Sequence, residues 1–192
     1  MRARIRRAFR VATDATGAGY ETSYQAEGTD FTTKFKAIGV KAPEQLEDDF
    51  LALFVWVWSL KDYLKAALKA RGLPSNTVDQ EVDGCPALTY VADIANRAKH
   101  GSLRKSRSGK FARLVDVGYE VPRDAIASIV VAGPDVTVGV KDPQSVFIHA
   151  TVITSPDERM DALAVLNDAM HAWESKVIAR IAANPAVNRT CR

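Results

Sequence analysis

The sequence predicts an α+β fold, mainly helical, in which three substantial helices pack with a small antiparallel β-hairpin or sheet. Two long apolar stripes at steps of three and four residues predict the longest helices. Valines alternating on either side of Lys141-Asp142-Pro143-Gln144 predict the hairpin. At 192 residues, 47% apolar and 26% charged, the chain has the length and composition of one globular domain with a real core. Within that domain, 1–42 is irregular or holds short strands, and 43–110 is a helical pair with a basic loop. Residues 111–153 are β-rich, 154–184 form a C-terminal helix and 185–192 are a tail.

Residues 13–36 are rich in Thr, Gly and Ser with scattered aromatics, and Gly17-Ala18-Gly19 reads as a turn. The first strong element runs from about Pro43 to Arg71. Pro43 suits the first helical position, Glu44, Glu47, Asp48 and Asp49 complement the positive end of the helix dipole, and Lys65, Lys69 and Arg71 the negative end. Gly72 and Pro74 stop it. Leu46, Phe50, Leu53, Val57, Leu60, Leu64 and Leu68 form one stripe, and the apolar run Phe50–Trp58 extends onto the other faces. That helix is therefore central, and Trp56, Trp58 and Trp173 read as core residues.

A second helix is predicted from Pro86 to His100, terminated by Gly101. Leu88, Val91, Ala95 and Ala98 lie within about 80° of one another at helical periodicity. Asp93, Asn96, Arg97 and His100 cluster opposite them, within about 100°, as one exposed polar face. The third helix is predicted from Pro156 to about Ala183, with Ser155 and Glu158 as a capping box, and Asn184-Pro185 ends it.

The net charge of +3 conceals an asymmetry. Residues 1–116 hold 19 basic and 14 acidic side chains, residues 117–192 hold 7 and 9. Five arginines fall within residues 2–10. A second concentration comprises Arg97, Lys99, Arg104, Lys105, Arg107, Lys110 and Arg113, with no acid between Asp93 and Asp116. A field of one sign attracts polyanions; a solvated loop of ordinary lysine and arginine content is the plainer alternative.

Several chemistries find no support. Cys85 and Cys191 form no disulfide framework, which fits a reducing, cytoplasmic setting. His100, His149 and His171 lack metal-ligand spacing, so no metal and no cofactor are expected. Gly17-Ala18-Gly19 lacks a third glycine at dinucleotide spacing, and Ser108-Gly109-Lys110 is no phosphate-binding P-loop. The longest apolar run, nine residues, is too short to span a bilayer, so no membrane partner is expected.

The chain with Trp58-Ser59-Leu60-Lys61-Asp62 on its long helix, then Asp93, Asn96, Lys99 and His100 on the next, resembles a recurrent type of bacterial protein. Over residues 43–110 it is also loosely similar to the HEPN superfamily, helical domains of toxin–antitoxin, defence and RNA-processing systems. Active members carry an arginine, often followed by a polar residue, then a histidine after four to six further positions; here Arg97 and His100 have two residues between them. The resemblance implies RNA as partner and a homodimer.

Two functions stay open, and with them whether the protein is an enzyme at all. In the first, an RNA-binding or ribonuclease-type protein, Arg97 and His100 act at the phosphate. Asp93 and Asn96 orient them, and Lys99, Arg104, Lys105, Arg107, Lys110 and Arg113 grip the RNA or another polyanion. In the second, a non-catalytic protein-interaction or structural domain, Asp93 and Arg97 form an i,i+4 ion pair while Asn96 and His100 cap the helix and hold the loop.

Overall fold

A computed structural model of the chain describes residues 1–25 and 32–183. The predicted stop at Asn184-Pro185, the 185–192 tail and Cys191 lie outside the described residues. Five helices and seven strands in two sheets occupy the described part, in place of three helices and a small hairpin. The helices are α1 (Arg2–Ala12), α2 (Pro43–Ala70), α3 (Thr77–Asp83), α4 (Pro86–His100) and α5. The last begins as Ala162–Ala172 and continues through a π-helical turn, Trp173–Ile178, into Ala179–Ala183. The strands are β1 (Tyr20–Gln25), β2 (Thr32–Ile38), β3 (Arg113–Glu120), β4 (Ile126–Ala132), β5 (Asp135–Val140), β6 (Phe147–Thr154) and β7 (Glu158–Asp161).

The chain forms two compact units. The first comprises residues 1–8, 50–116 and the chain from Ala150 onward. Of the predicted stripe of α2, its core contains Phe50, Leu53 and Val57, fully buried, and Leu60 and Leu68, nearly so, while Leu64 is half-buried; Phe54 and Trp58, beside the stripe, are buried as well. Val78 and Val82, one helical turn apart on α3, are also fully buried, and α3 packs on α4. Alongside, α4 packs on α5, whose Leu166 and Trp173 are inaccessible to solvent. Trp56 is half-buried beneath the Arg4 guanidinium, 5.4 Å from the ring centre.

The C-terminal helix starts later than its capping-box pattern predicts. Ser155-Pro156 is a cis peptide in the turn between β6 and β7, and Thr154 pairs with Glu158 in an antiparallel ladder. The helix begins at Ala162, where Asp161 Oδ1 accepts the backbone N–H of Ala164 at 2.7 Å. The apolar stripe itself begins only at Leu163, so residues 156–161 had no buried face to hold them helical.

The second unit comprises residues 9–49 and 117–149. Its sheet has the order β1-β2-β5-β4, antiparallel except where β2 runs parallel to β5 from Phe35↔Val136 to Ile38↔Gly139. The predicted hairpin of Val136–Val140 with Val146–Val152 is thereby replaced: β5 pairs with β4 and β2, while β6 lies in the other sheet, of order β3-β6-β7. Alternation identifies a strand without naming its partner. The two-residue Gly133-Pro134 connection closes β4 on β5 more tightly than the six residues that separate β5 from β6.

The core of this unit gathers Ala15, Ala37, Val40 and Val146 against Tyr20, Phe35, Tyr119, Val121, Val140 and Ile148. Lys41 is buried beside it, and its ammonium donates to the Val11 carbonyl at 2.7 Å and to Asp49 Oδ2 at 2.8 Å. Gly17 packs so closely that a Cβ there would sit 2.6 Å from the Lys41 backbone nitrogen. That close packing accounts for the glycine. On β4, the last strand of this sheet, Ile129, Val130 and Val131 are all exposed.

Replacing the observed cap in Asp161→Ala should lower stability by about 1 kcal/mol. Ser155→Ala should leave it unchanged. Urea denaturation of both variants checks the helix start; equal losses would favour the earlier cap.

Candidate functional site

Helix α4 has the predicted bounds, with Pro86 in its first turn and Gly101 just past its end. Gly101 adopts a left-handed φ of 70° and donates its N–H to the Arg97 carbonyl at 2.8 Å, closing the last turn. Periodicity predicts one buried and one exposed face, but burial instead changes along the helix. Every residue from Leu88 to Ala95 is buried, Asn96 and Arg97 are half-buried, and Ala98, Lys99 and His100 are exposed. Asp93, predicted on the exposed polar face, has no solvent exposure.

The segment after the helix accounts for this difference by folding back over that side. Ser106 and Ser108 donate their hydroxyls to Asp93 Oδ2 at 2.6 and 2.5 Å, and the Arg107 backbone N–H donates to Oδ1 at 2.6 Å. A buried carboxylate needs such donors, because each unsatisfied oxygen would carry the full cost of lost hydration. The serines pass the order onward: Ser108 Oγ accepts the Lys110 N–H at 2.9 Å, and Ser106 Oγ accepts the Phe111 N–H at 3.1 Å. The Lys110 carbonyl in turn accepts the Ser155 N–H at 2.7 Å, which ties the loop to the β6–β7 turn.

Two of the seven predicted cations are committed within this framework. Arg107 Nε donates to Asp83 at 2.6 Å, one terminal nitrogen reaches Asp79 at 3.2 Å, and the guanidinium lies 5.3 Å from the centre of the Trp58 ring. Lys65 meets the same Asp79. Burial pushes the Asp79 carboxyl up, but hydrogen bonds from Lys65 and Arg107 outweigh it and leave the group below its ordinary value. Lys110 pairs with Glu158 at 2.9 Å and lies over the Tyr90 ring. That hydrogen bond raises Lys110 above its usual value and lowers Glu158.

Arg97, Lys99, Arg104, Lys105 and Arg113 have no ion-pair partner among the described residues. Arg97 and His100 line different depressions. Arg97 joins Phe111, Arg113, Ile153, Thr154, Ser155, Pro156 and Asp157 around a cleft of about 510 Å³. The Arg97 Nε is buried without a hydrogen-bond partner. His100 lines a second depression of about 500 Å³ with Asn96, Ser102, Leu103 and Arg104. Both oxygens of Asp93 are engaged by the loop, at Ser106, Arg107 and Ser108. His149 is exposed on β6, where a Cβ on Gly118 would lie 3.0 Å from its ring, and His171 is exposed on α5.

Sequence inspection overlooks α3 and its acids. The i,i+4 spacings of Val78 with Val82 and of Asp79 with Asp83 were the available signals: one buries a face, the other presents two carboxylates to one guanidinium. It also overlooks Ser106, Ser108 and Phe111. The last is a large apolar residue, exposed, in a left-handed conformation with φ of 52°. No family model, curated protein or solved structure matches the chain.

Removing the central acceptor in Asp93→Asn should destabilise the first unit by about 2 kcal/mol. It should also speed amide exchange at Arg107, Lys110 and Phe111 relative to α2, as hydrogen-exchange mass spectrometry can read; unchanged exchange would show that the loop holds itself. A pH dependence follows from Asp79. Its folded pKa lies below its unfolded value, so the stabilisation is fully present above the unfolded pKa and is lost as pH falls through the folded one. Thermal melts between about pH 5 and pH 3 should therefore show falling stability, with a smaller fall in Asp79→Asn.

Proposed function

We propose that the protein binds RNA in the cytoplasm through the basic corner at the end of α4, with Arg97 and Arg113 receiving backbone phosphate in the cleft they line. What carries this proposal is the state of Arg97. The residue is half-buried, makes no ion pair among the described residues, and has a buried Nε that lacks an acceptor. The terminal nitrogens, which have no acceptor among the described residues, are where a phosphate oxygen would bind, the acceptor whose geometry suits a guanidinium. Arg113 brings a second positive charge to the same cleft, and Lys99, Arg104 and Lys105 extend the field over the exposed surface. Asp157 also lines the cleft and opposes an anion there, so two arginines act against one carboxylate.

Binding, with no cleavage step, is the chemistry proposed. Cleavage by Arg97 and His100 would need both at one phosphate, and the two residues line separate depressions. The similarity to the HEPN superfamily agrees with RNA as partner. A protein-interaction domain is the second reading, and it draws on Ile129, Val130 and Val131, three consecutive exposed apolar residues of β4. Association through such a strand would be nearly insensitive to salt.

Fluorescence anisotropy with a labelled single-stranded oligouridine tests the proposal. With about four phosphates neutralised, affinity should fall about 50-fold between 50 and 200 mM salt. Arg113→Ala, at an exposed position, and Arg97→Gln should each weaken binding at low salt while thermal stability holds. No binding at 50 mM salt, or binding indifferent to both substitutions, would overturn it.

A further inference from the structure

Phe111 is the residue of this corner that folding alone does not account for. It is 45% exposed, so its ring contributes little to the core, and it holds a φ of 52° that bulky side chains rarely adopt. Strain of this kind persists only where the surroundings dictate the backbone, and it concentrates at ligand-binding positions. Here the surroundings do dictate it. The Phe111 N–H is held by Ser106 Oγ, which is itself bonded to the buried Asp93. On either side, the Lys110 carbonyl is bound by the Ser155 N–H and Ala112 is fully buried. The backbone is fixed at both flanks, and the aromatic ring lines the same cleft as Arg97 and Arg113.

An exposed aromatic residue and two arginines lining one cleft of about 510 Å³ are the elements that hold a nucleotide: a stacking surface and anion donors. We infer that the cleft takes one unpaired nucleotide of the RNA, its base stacked on Phe111 and its phosphate on Arg97 and Arg113. This rests on the RNA-binding proposal above and narrows it to single-stranded RNA, since a base inside a duplex has no free face to offer. The stacking contact carries no preference among bases, because every base presents a π-face.

The test uses the full chain and a single-stranded oligouridine carrying one 2-aminopurine, whose fluorescence falls on stacking. The wild type should quench it, Phe111→Tyr should keep the quenching, and Phe111→Leu should lose it and bind about tenfold more weakly. Phe111→Asn adds a readout that a purely structural role would reverse. Asparagine tolerates the left-handed conformation, so the variant should melt at an equal or higher temperature while binding falls. A duplex of the same sequence should bind more weakly than the single strand. If Phe111→Leu binds and quenches as the wild type does, while Arg97→Gln still weakens binding, stacking is refuted and phosphate binding stands. If the wild type binds no RNA, or binds only a phosphorylated peptide, both proposals fall. A lower melting temperature for Phe111→Asn with unchanged affinity would make Phe111 a structural residue and overturn the inference.

Discussion

The basic corner depends on the three hydrogen bonds that the buried Asp93 carboxylate accepts from Ser106, Arg107 and Ser108. A carboxylate without solvent exposure holds its place only if its oxygens are met by donors, and the donors here come from the segment that follows its own helix. The two hydroxyls have acceptor capacity left, which they direct to the Phe111 and Lys110 amides. One buried group thus fixes the backbone path from Ser106 to Phe111.

That path sorts the cations. Arg107 is drawn against Asp79, Asp83 and the Trp58 face, and Lys110 against Glu158 and Tyr90. These two neutralise acids of the same unit and act as structural ties. Arg97 and Arg113 face the opposite condition, sharing a cleft without ion-pair partners among the described residues. The field that a polyanion would meet is therefore smaller than the lysine and arginine count implies, and it is concentrated at the cleft and on the exposed Lys99, Arg104 and Lys105.

Much of the helical framework was legible from local signals. The bounds of α2 follow from Pro43, an unbroken stripe and Gly72; those of α4 follow from Pro86 and Gly101. Both combine an apolar face with terminating residues, and both signals act within a few residues of chain. The sheets were less legible because alternation in β5 and β6 is the same whichever strand lies alongside. The capping-box pattern at Ser155 and Glu158 was a true local preference overridden by the pairing of β7 with β6. Helix α1 went unread because its arginines obscure a narrow buried stripe that includes Ile5 and Ala12.

The sequence by itself determined that α4 ends in a cluster of polar and basic residues followed by a basic, serine-rich loop, because helix periodicity and terminators are local properties of the chain. It also placed Trp58 and Trp173 in the core, as large aromatics among Leu, Val and Met usually are, whereas Trp56, read the same way, is half-buried under Arg4. Only the tertiary structure decided that Asp93 is buried, that Arg97 and His100 open into different depressions, and that Phe111 stands beside two arginines. Those facts depend on segments beyond the helix itself: the returning loop and the β6–β7 turn. Periodicity can say which side of a helix a residue occupies, but not what the rest of the chain lays against that side.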